Sequence, residues 1–156
     1  MSKPEIKIAG IADVKFGEGV KVVGPSNLYG CEIGDGTFIG PFVEIQKSAV
    51  IGKRCKVQSH AFICEMVTIG DDCFIGHGVM FINDTFASGG PAGGRKEFWK
   101  ATKIGNKVSI GSNATLLPVA VTDGAVIGAG SVVTKDITKP GIYAGNPARF
   151  LKELPK

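Results

Sequence analysis

A ladder of large apolar side chains recurs every six residues through the middle of this chain. It runs without a gap through Ile33, Ile39, Ile45, Ile51, Val57, Ile63, Ile69, Ile75 and Phe81. A second ladder lies two residues ahead of the first and holds only small or β-branched residues: Cys31, Thr37, Val43, Ala49, Cys55, Ala61, Val67, Cys73 and Val79. Neither an α-helix nor a lone strand gives a period of six. A chain that turns a corner every six residues does, and this pattern is typical of a hexapeptide β-helix.

Glycine follows the large residue of the ladder at five positions, and the chain holds 23 glycines in all. The five are Gly34, Gly40, Gly52, Gly70 and Gly76. Collagen, another glycine-rich repeat, requires glycine at every third residue, which this chain lacks. A chain of 156 residues is long enough to bury one core. We therefore expect one all-β domain over residues 1–156.

The ladder divides this domain into two blocks of coils. Residues 11–83 form the N-terminal block, and residues 103–138 form the C-terminal block. Further members extend the ladder at both ends: Phe16, Val22, Leu28, Ile104, Ile110, Leu116, Ile127 and Val133. One residue is lost before Ile33 and another near Pro118, so the pattern predicts two shortened hexapeptides.

Residues 84–102 interrupt the ladder. They contain the run Ser-Gly-Gly-Pro-Ala-Gly-Gly at 88–94, then several charges and the single tryptophan, Trp99. Long irregular loops inside compact domains are usually functional or disordered. The glycines favour mobility of this inserted loop, whereas Trp99 indicates that something packs against it.

The tail at 146–154 reads Asn-Pro-Ala-Arg-Phe-Leu-Lys-Glu-Leu. Proline is favoured in the first turn of a helix, and Pro147 fits that position. We expect a short C-terminal helix whose buried side carries Phe150, Leu151 and Leu154.

Charge and hydropathy exclude several classes of function. The net charge is +4, and no basic run is interleaved with aromatic residues, so nucleic-acid binding has little support. A mild positive charge does suit a phosphate-bearing ligand. Residues 1–10 hold no long apolar stretch, and no membrane span or signal peptide is visible. We expect a cytoplasmic protein without a membrane partner.

The four cysteines fit that expectation. Cys31, Cys55 and Cys73 belong to the ladder of small residues, and Cys64 lies just outside it. Their spacings match no zinc pattern. We expect reduced, structural cysteines and no metal site.

Three hexapeptides per coil give a triangular prism, in which residues 18 apart stack about 4.8 Å from one another. The residues two after each ladder member then fall on three edges. The first edge carries Asp35, Lys53 and Asp71; the second carries Pro41, Ser59 and His77; the third carries Lys47, Glu65 and Asn83. Alternating signs on the first edge predict a surface charge ladder. Only the third edge runs straight into the inserted loop.

Glu65 and Asn83 are therefore candidate functional residues. A carboxylate and an amide at this separation are able to hold one amine between them, although most exposed corner residues do no chemistry. His60, near the second edge, is a second candidate, either as a base or as a hydrogen-bonded wall residue. A zinc site of the carbonic anhydrase type requires three histidines, and the chain holds only His60 and His77. That alternative is not favoured.

Five segments resemble the hexapeptide-repeat acyltransferases, and within them the enzymes that N-acetylate nucleotide-linked amino sugars. They are residues 58–65, 76–84, 109–115, 128–136 and 145–149. The resemblance covers nearly the whole chain. It implies a left-handed parallel β-helix, a homotrimer with active sites between subunits, and acetyl-CoA as co-substrate. It also implies a place in the supply of activated acetamido sugars, which usually feed surface polysaccharide synthesis.

The resemblance also implies the binding residues. For acetyl-CoA, along the C-terminal coils, these are Gly111, Asn113, Ala114, Gly128, Ala129, Ser131, Lys135 and Arg149. Bare corners would let the pantetheine arm approach backbone N–H groups, and the last two residues suit the CoA phosphates. For the nucleotide sugar they are His77, Asp84 and Trp99.

The expected chemistry is attack of a neutral sugar amine on a thioester, with a donor for the resulting oxyanion. We expect Asn83 to orient the amine, and Glu65 or His60 to receive its proton, unless the CoA thiolate takes it. No histidine follows Asn83 in the stretch Asp84-Thr-Phe-Ala, which favours an amine over a hydroxyl acceptor.

Two alternatives remain from the sequence. An O-acetyltransferase acting on a sugar or small hydroxyl compound requires a base and makes His60 essential. A non-catalytic scaffold or ice-binding β-helix requires regular columns of threonine, whereas the outward positions here are mixed and charged. The nucleotide, dTDP or UDP, stays open.

Overall fold

The structure, a computed structural model, describes residues 3–155; residues 1, 2 and 156 of the expected domain lie outside it. Almost every hexapeptide forms one short strand. In chain order the strands are β1 (Ile11–Ala12), β2 (Lys15–Phe16), β3 (Lys21–Val22), β4 (Asn27–Tyr29), β5 (Glu32–Ile33), β6 (Phe38–Ile39), β7 (Glu44–Ile45), β8 (Val50–Ile51), β9 (Lys56–Val57), β10 (Phe62–Ile63), β11 (Val67–Ile69), β12 (Phe74–Ile75), β13 (Met80–Phe81), β14 (Thr102–Ile104), β15 (Ser109–Ile110), β16 (Thr115–Leu116), β17 (Ala120–Val121), β18 (Val126–Ile127), β19 (Val132–Val133), β20 (Ile142–Gly145) and β21 (Ala148–Lys152).

These strands form three sheets, the faces of a triangular prism, and every pair within them is parallel except β20 with β21. Sheet 1 contains β1, β4, β7, β10, β13, β16 and β19; sheet 2 contains β2, β5, β8, β11, β14 and β17; sheet 3 contains β3, β6, β9, β12, β15, β18, β20 and β21. From β1 to β19 the chain visits the sheets in turn, so each strand pairs with the strand three further along. The expected all-β, left-handed parallel β-helix is confirmed, with about seven turns.

Strand register follows the sixfold ladder. Ile33 pairs with Ile51, which pairs with Ile69. Across the interruption, Ile69 pairs with Ile104. The two expected one-residue slips are also present, because Leu28 pairs with Ile45 and Ile104 with Val121.

The core is the column of ladder side chains inside the prism. From Leu28 to Val133 these side chains are almost completely buried. Burial of one such aliphatic side chain contributes about 1.5–3 kcal/mol to stability. Phe16, by contrast, is 44% exposed, because its strand is at the open end of sheet 2 with no coil beyond it.

The first edge, between sheets 2 and 3, carries the predicted charge ladder. Lys53 Nζ lies 2.8 Å from Asp35 Oδ2, and the Lys53 N–H donates to Asp71 Oδ1 over 2.8 Å. The Asp71 N–H in turn donates to Asn106 Oδ1 on the next coil, over 2.8 Å. Side chains of this edge thus satisfy backbone donors of the neighbouring coil, which gives the edge a structural role.

All four cysteines are buried and free. Cys55 Sγ and Cys73 Sγ lie 3.1 Å from the carbonyl oxygens of Gly70 and Gly105 on the neighbouring coils. Burial raises the pKa of the Cys64 thiol to about 11, which keeps it protonated at neutral pH. These contacts agree with the structural role expected of the cysteines.

The expected C-terminal helix is wrong. Strands β20 and β21 form an antiparallel hairpin, with Tyr143 opposite Phe150, and β20 adds to sheet 3 beside β18. Pro147 lies in the turn of this hairpin instead of a helical turn. Phe150 and Leu151 are largely exposed, and the Phe150 ring meets the Tyr143 ring edge-on at 5.5 Å. The backbone N–H and C=O groups of β20 are paired on one side with β18 and on the other with β21.

The inserted loop begins and ends slightly earlier than the expected residues 84–102. Thr102 already belongs to β14 and is buried, so the interruption between strands covers residues 82–101. Its one regular element is a single turn of 3-10 helix at Lys96–Phe98.

Candidate active site

The third edge, between sheets 1 and 2, brings Lys47, Glu65 and Asn83 together on successive coils. Asn83 Nδ2 donates to the carbonyl oxygen of Glu65 over 3.3 Å, and Lys47 Nζ lies 3.9 Å from Glu65 Oε1. The Glu65 side chain is only 12% exposed, whereas that of Lys47 is 55% exposed. Asn83 and Glu65 are thus neighbours on this edge, with the Asn83 amide on the Glu65 backbone and the Glu65 carboxylate largely enclosed.

The inserted loop adds a residue that the sequence did not indicate. The Lys96 ammonium, in the 3-10 turn, donates to Glu65 Oε2 and lies 5.5 Å from the centroid of the Trp99 ring. The hydrogen bond to Glu65 raises the pKa of Lys96 above its usual value, so this amine is an ammonium ion at neutral pH. Glu65 therefore lies between two cations, one from the coil below and one from the loop.

Asp84 holds the base of the loop together. Its two carboxylate oxygens accept the N–H groups of Phe86, over 2.9 Å, and of Ala92, over 2.7 Å. Asp84 also forms an antiparallel bridge with Trp99, and the Lys100 N–H donates to the carbonyl oxygen of Asn83 over 2.9 Å. Asp84, expected at the substrate, has both oxygens engaged within its own loop.

The two histidines lie on the second edge, between sheets 3 and 1. A hydrogen bond of 2.8 Å joins His77 Nδ1 to Ser59 Oγ, as their stacking predicted. His60 is exposed, and its ring stacks on that of Phe42 with 4.9 Å between centroids. Sheet 1 separates this edge from the third edge. Within one chain, the structure does not bring His60 or His77 together with Glu65 and Asn83.

Residues expected at acetyl-CoA continue the second edge toward the C-terminus. The Asn113 N–H donates to the His77 carbonyl oxygen over 2.7 Å, and both Asn113 and Ala129 are exposed corner residues. The N–H groups of Gly111 and Gly128 donate to Ile127 and Tyr143 on the following coil, each over 2.8 Å. These N–H groups are therefore not open to a ligand, contrary to the expectation for the glycine corners.

Coil stacking explains the glycines instead. A Cβ atom on Gly111 would lie 2.4 Å from the backbone nitrogen of Ala129, and one on Gly128 would lie 2.9 Å from Cβ of Ala144. Both distances are shorter than van der Waals contact. Glycine is thus required by the close approach of successive corners, whether or not a ligand binds there.

Two other residues expected at the co-substrate have buried side chains. Ala114 belongs to the inward column of small residues, and Ser131 is fully buried. Ser131 Oγ accepts the N–H of Gly145 over 3.2 Å and so fastens the C-terminal hairpin to the last coil. Neither side chain faces the surface on which a ligand would lie.

The two expected cations share a shallow cleft at the C-terminal end. Lys135 and Arg149 line this cleft of about 290 Å³, together with Tyr143 and Phe150. Lys135 follows Val133, whose coil stacks on that of Leu116, and so it continues the third edge beyond Asn83. Both cations are exposed, which suits binding of a phosphate group.

Two family models match the coils of this chain. The Bacterial transferase hexapeptide (six repeats) model matches residues 30–65, and the Hexapeptide repeat of succinyl-transferase model matches residues 66–80 and 101–135. The unmatched residues between the two parts of the second match, 81–100, coincide with the inserted loop except for one residue at each end. Because the two models together match more than half of the chain, the protein belongs to the hexapeptide-repeat transferase family, which confirms the family expected from the sequence.

Among curated relatives, the bifunctional protein GlmU of Paramagnetospirillum magneticum is 40% identical over an alignment of 149 residues that covers 84% of this chain and 30% of that protein. The chain spans about a third of the length of the curated relatives it matches.

Two solved structures share the fold. AntD, an N-acyltransferase from Bacillus cereus in complex with dTDP and coenzyme A, has a TM-score of 0.76 at 22% identity, covering 92% of this chain and 85% of that one. The GDP-perosamine N-acetyl transferase from Caulobacter crescentus, in complex with CoA and GDP-perosamine, has a TM-score of 0.62 at 17% identity, covering 92% of this chain and 57% of that one.

Residues 3–155 form no helix with the length and apolarity needed to cross a bilayer. They also contain no group of three or more His, Cys, Asp and Glu side chains placed to hold a metal ion.

Proposed function

We propose that this protein is an acetyl-CoA-dependent N-acetyltransferase that acts on the amine of a nucleotide-linked amino sugar, dTDP or UDP. The observation that carries the proposal is the third edge, where the Asn83 amide donates to the Glu65 backbone and Lys96 of the inserted loop contacts the largely enclosed Glu65 carboxylate. Membership of a transferase family supports it, as does the fold shared with AntD and with GDP-perosamine N-acetyl transferase.

In the proposed reaction the amine nitrogen of the sugar attacks the thioester carbonyl of acetyl-CoA. The N–C bond forms, the C–S bond breaks, and the amine loses one proton. Asn83 orients the amine by a hydrogen bond, and Glu65 accepts a hydrogen bond from the amine and relays its proton to the departing thiolate. A carboxylate suffices here, because a deprotonated amine is a good nucleophile without a strong base.

We further propose that acetyl-CoA lies along the C-terminal coils of the second edge, against the exposed corners of Asn113 and Ala129. The exposed cations Lys135 and Arg149 then contact its phosphates from the subunit that supplies the third edge, because Lys135 continues that edge. Backbone N–H groups of the glycine corners have no part in this proposal, because the neighbouring coil already occupies them.

The second and third edges of one chain face different directions, with sheet 1 between them. A site that uses both edges therefore needs a second copy of the chain. We propose a homotrimer in which the second edge of one subunit faces the third edge of the next, giving three equivalent sites.

The test is thiol release from acetyl-CoA with a panel of dTDP- and UDP-linked 3-amino and 4-amino sugars, beside the matching hydroxyl compounds. Release with an amino sugar alone is the expected result and identifies the substrate class. Release with hydroxyl acceptors alone would favour the O-acetyltransferase. Folded protein that neither releases thiol nor binds CoA would contradict an acetyl-transfer function.

A further inference from the structure

We propose that Glu65 and Trp99 form a subsite for the acceptor's ammonium group, and that Lys96 of the inserted loop occupies this subsite until the acceptor displaces it. This inference rests on the proposed function, because it specifies how the acceptor amine is recognised before transfer. It assigns Lys96 as a residue that determines specificity for amines over hydroxyl groups.

The contacts around the Lys96 ammonium are those that an alkylammonium ligand requires. Glu65 supplies a carboxylate whose side chain is only 12% exposed, and the Trp99 ring centroid lies 5.5 Å from Lys96 Nζ. An anion on one side and an aromatic ring on the other is a recurring arrangement for binding organic cations. Asn83, proposed to orient the acceptor, donates to the Glu65 backbone on the same corner.

Lys96 is suited to be a displaceable occupant. It belongs to a single turn of 3-10 helix whose residues are all exposed, so its movement disrupts no core packing. The base of the loop is held separately, by the bridge between Asp84 and Trp99 and by the two N–H groups that Asp84 accepts. Lys96 is therefore able to leave Glu65 while the loop keeps its attachment to the coils.

Lys96 is not itself suited to be acetylated. Its hydrogen bond to Glu65 raises its pKa, and a protonated amine has no lone pair with which to attack a thioester. A sugar amine has a lower intrinsic basicity than lysine, so the same carboxylate binds it as an ammonium ion and releases it more easily as the neutral nucleophile. A hydroxyl acceptor carries no charge, so it gains no ion-pair stabilisation by displacing Lys96 from Glu65.

The first experiment compares steady-state kinetics of Lys96→Met with those of Lys100→Met and the wild type. Lys100 is an exposed cation in the same loop, so K100M is matched in charge and position. We expect K96M to lower the KM for the amino sugar by about two- to fivefold, the change that corresponds to a partly exposed ion pair, with kcat unchanged. K100M should match the wild type.

The second experiment needs no turnover. Trp99 is the only tryptophan in the chain, so its emission reports directly on the subsite. The protein is titrated with glucosamine hydrochloride and, as a control, with glucose plus sodium chloride at the same ionic strength. Neither titration contains acetyl-CoA. We expect the emission of the wild type to respond to glucosamine and not to glucose, and the midpoint for K96M to fall by the same factor as its KM.

Three results would overturn the inference. A higher KM in K96M at unchanged kcat would show that Lys96 orders the loop instead of standing in for the acceptor. Equal KM values in K96M and K100M would show that the ion pair has no part in recognition. Equal emission responses to glucosamine and glucose would remove the ammonium subsite. If the proposed function itself is wrong, the wild type shows no turnover, but the emission experiment still tests the ammonium subsite. The two failures are therefore distinguishable.

Discussion

Asn83 is the residue that links the coils of the candidate site to its loop. Its side-chain nitrogen donates to the carbonyl oxygen of Glu65, and its own carbonyl oxygen accepts the N–H of Lys100. The first contact belongs to the side chain, and the second belongs to the backbone and survives substitution. A single hydrogen bond of a half-buried side chain contributes about 1 kcal/mol to folding, so the side chain is available for chemistry at little structural cost.

We expect Asn83→Ala to lower kcat about 100-fold, because loss of one positioned hydrogen bond at a reacting group typically costs this much. The melting temperature should change by only a few degrees. The matched control is Asn106→Ala on the first edge, where Asn106 Oδ1 accepts the Asp71 N–H far from the candidate site. N106A should lose stability and keep its turnover. Wild-type turnover in N83A would remove Asn83 from the mechanism.

His60 separates the two acetyl-transfer hypotheses. Its backbone has a positive φ of 63°, a conformation that asparagine tolerates better than alanine. His60→Asn therefore removes the imidazole without adding strain. We expect H60N to keep turnover with the amino sugar within about twofold, since an amine acceptor needs no strong base. Wild-type turnover with a hydroxyl acceptor that falls by two orders of magnitude in H60N, at unchanged melting temperature, would instead support a histidine base and a hydroxyl acceptor.

The period of six predicted contacts between residues of the coils, and it failed for residues outside them. Glu65 and Asn83 are 18 apart and meet, as do Ser59 and His77. Lys96 was beyond this reasoning, because the inserted loop has no period and only its own fold decides which cation reaches Glu65. The charge and glycine content of the loop sequence do not indicate which of its cations contacts Glu65.

At the scale of elements, the C-terminal segment shows what local sequence leaves open. Proline suits the first turn of a helix and also the turn of a hairpin, so Pro147 was compatible with both. Pairing with a strand far away in sequence decides between a helix and a hairpin: β20 pairs with the exposed side of β18, and β21 then pairs with β20. The coils were predictable because each hexapeptide repeats the same local signal, whereas the hairpin occurs once.

Corner glycines make a second prediction at this scale. Gly111→Ala places a Cβ atom 2.4 Å from the Ala129 backbone nitrogen, so the two coils must separate. We expect a loss of about 1–3 kcal/mol in the free energy of unfolding, or about 2–12 °C in melting temperature followed by circular dichroism. Gly90→Ala is the control, because no atom lies within 4 Å of its added Cβ. Equal melting temperatures for G111A and G90A would contradict the stacking argument.

For the whole molecule, one geometric fact governs the proposed mechanism. The residues proposed for the acceptor lie on the third edge, and the corners proposed for acetyl-CoA lie on the second edge, with the seven strands of sheet 1 between them. A rigid β-helix cannot fold these edges onto each other, because every coil is held to its neighbours by backbone hydrogen bonds. In the proposed trimer, the second edge of one subunit faces the third edge of the next.

Mixing two inactive variants tests this arrangement. Asn83→Ala disables the third edge, and Ala129→Trp blocks the exposed corner of the second edge, so each variant alone should be nearly inactive. In trimers formed from equal amounts of both, a site is intact when an N83A subunit supplies its second edge and an A129W subunit supplies its third edge. Random assembly makes about one quarter of the sites intact, so we expect about one quarter of wild-type thiol release. Mixing without subunit exchange is the control and should give none. If co-assembled trimers also gave none, both edges of a site would have to come from the same chain, and the proposed interface would be wrong.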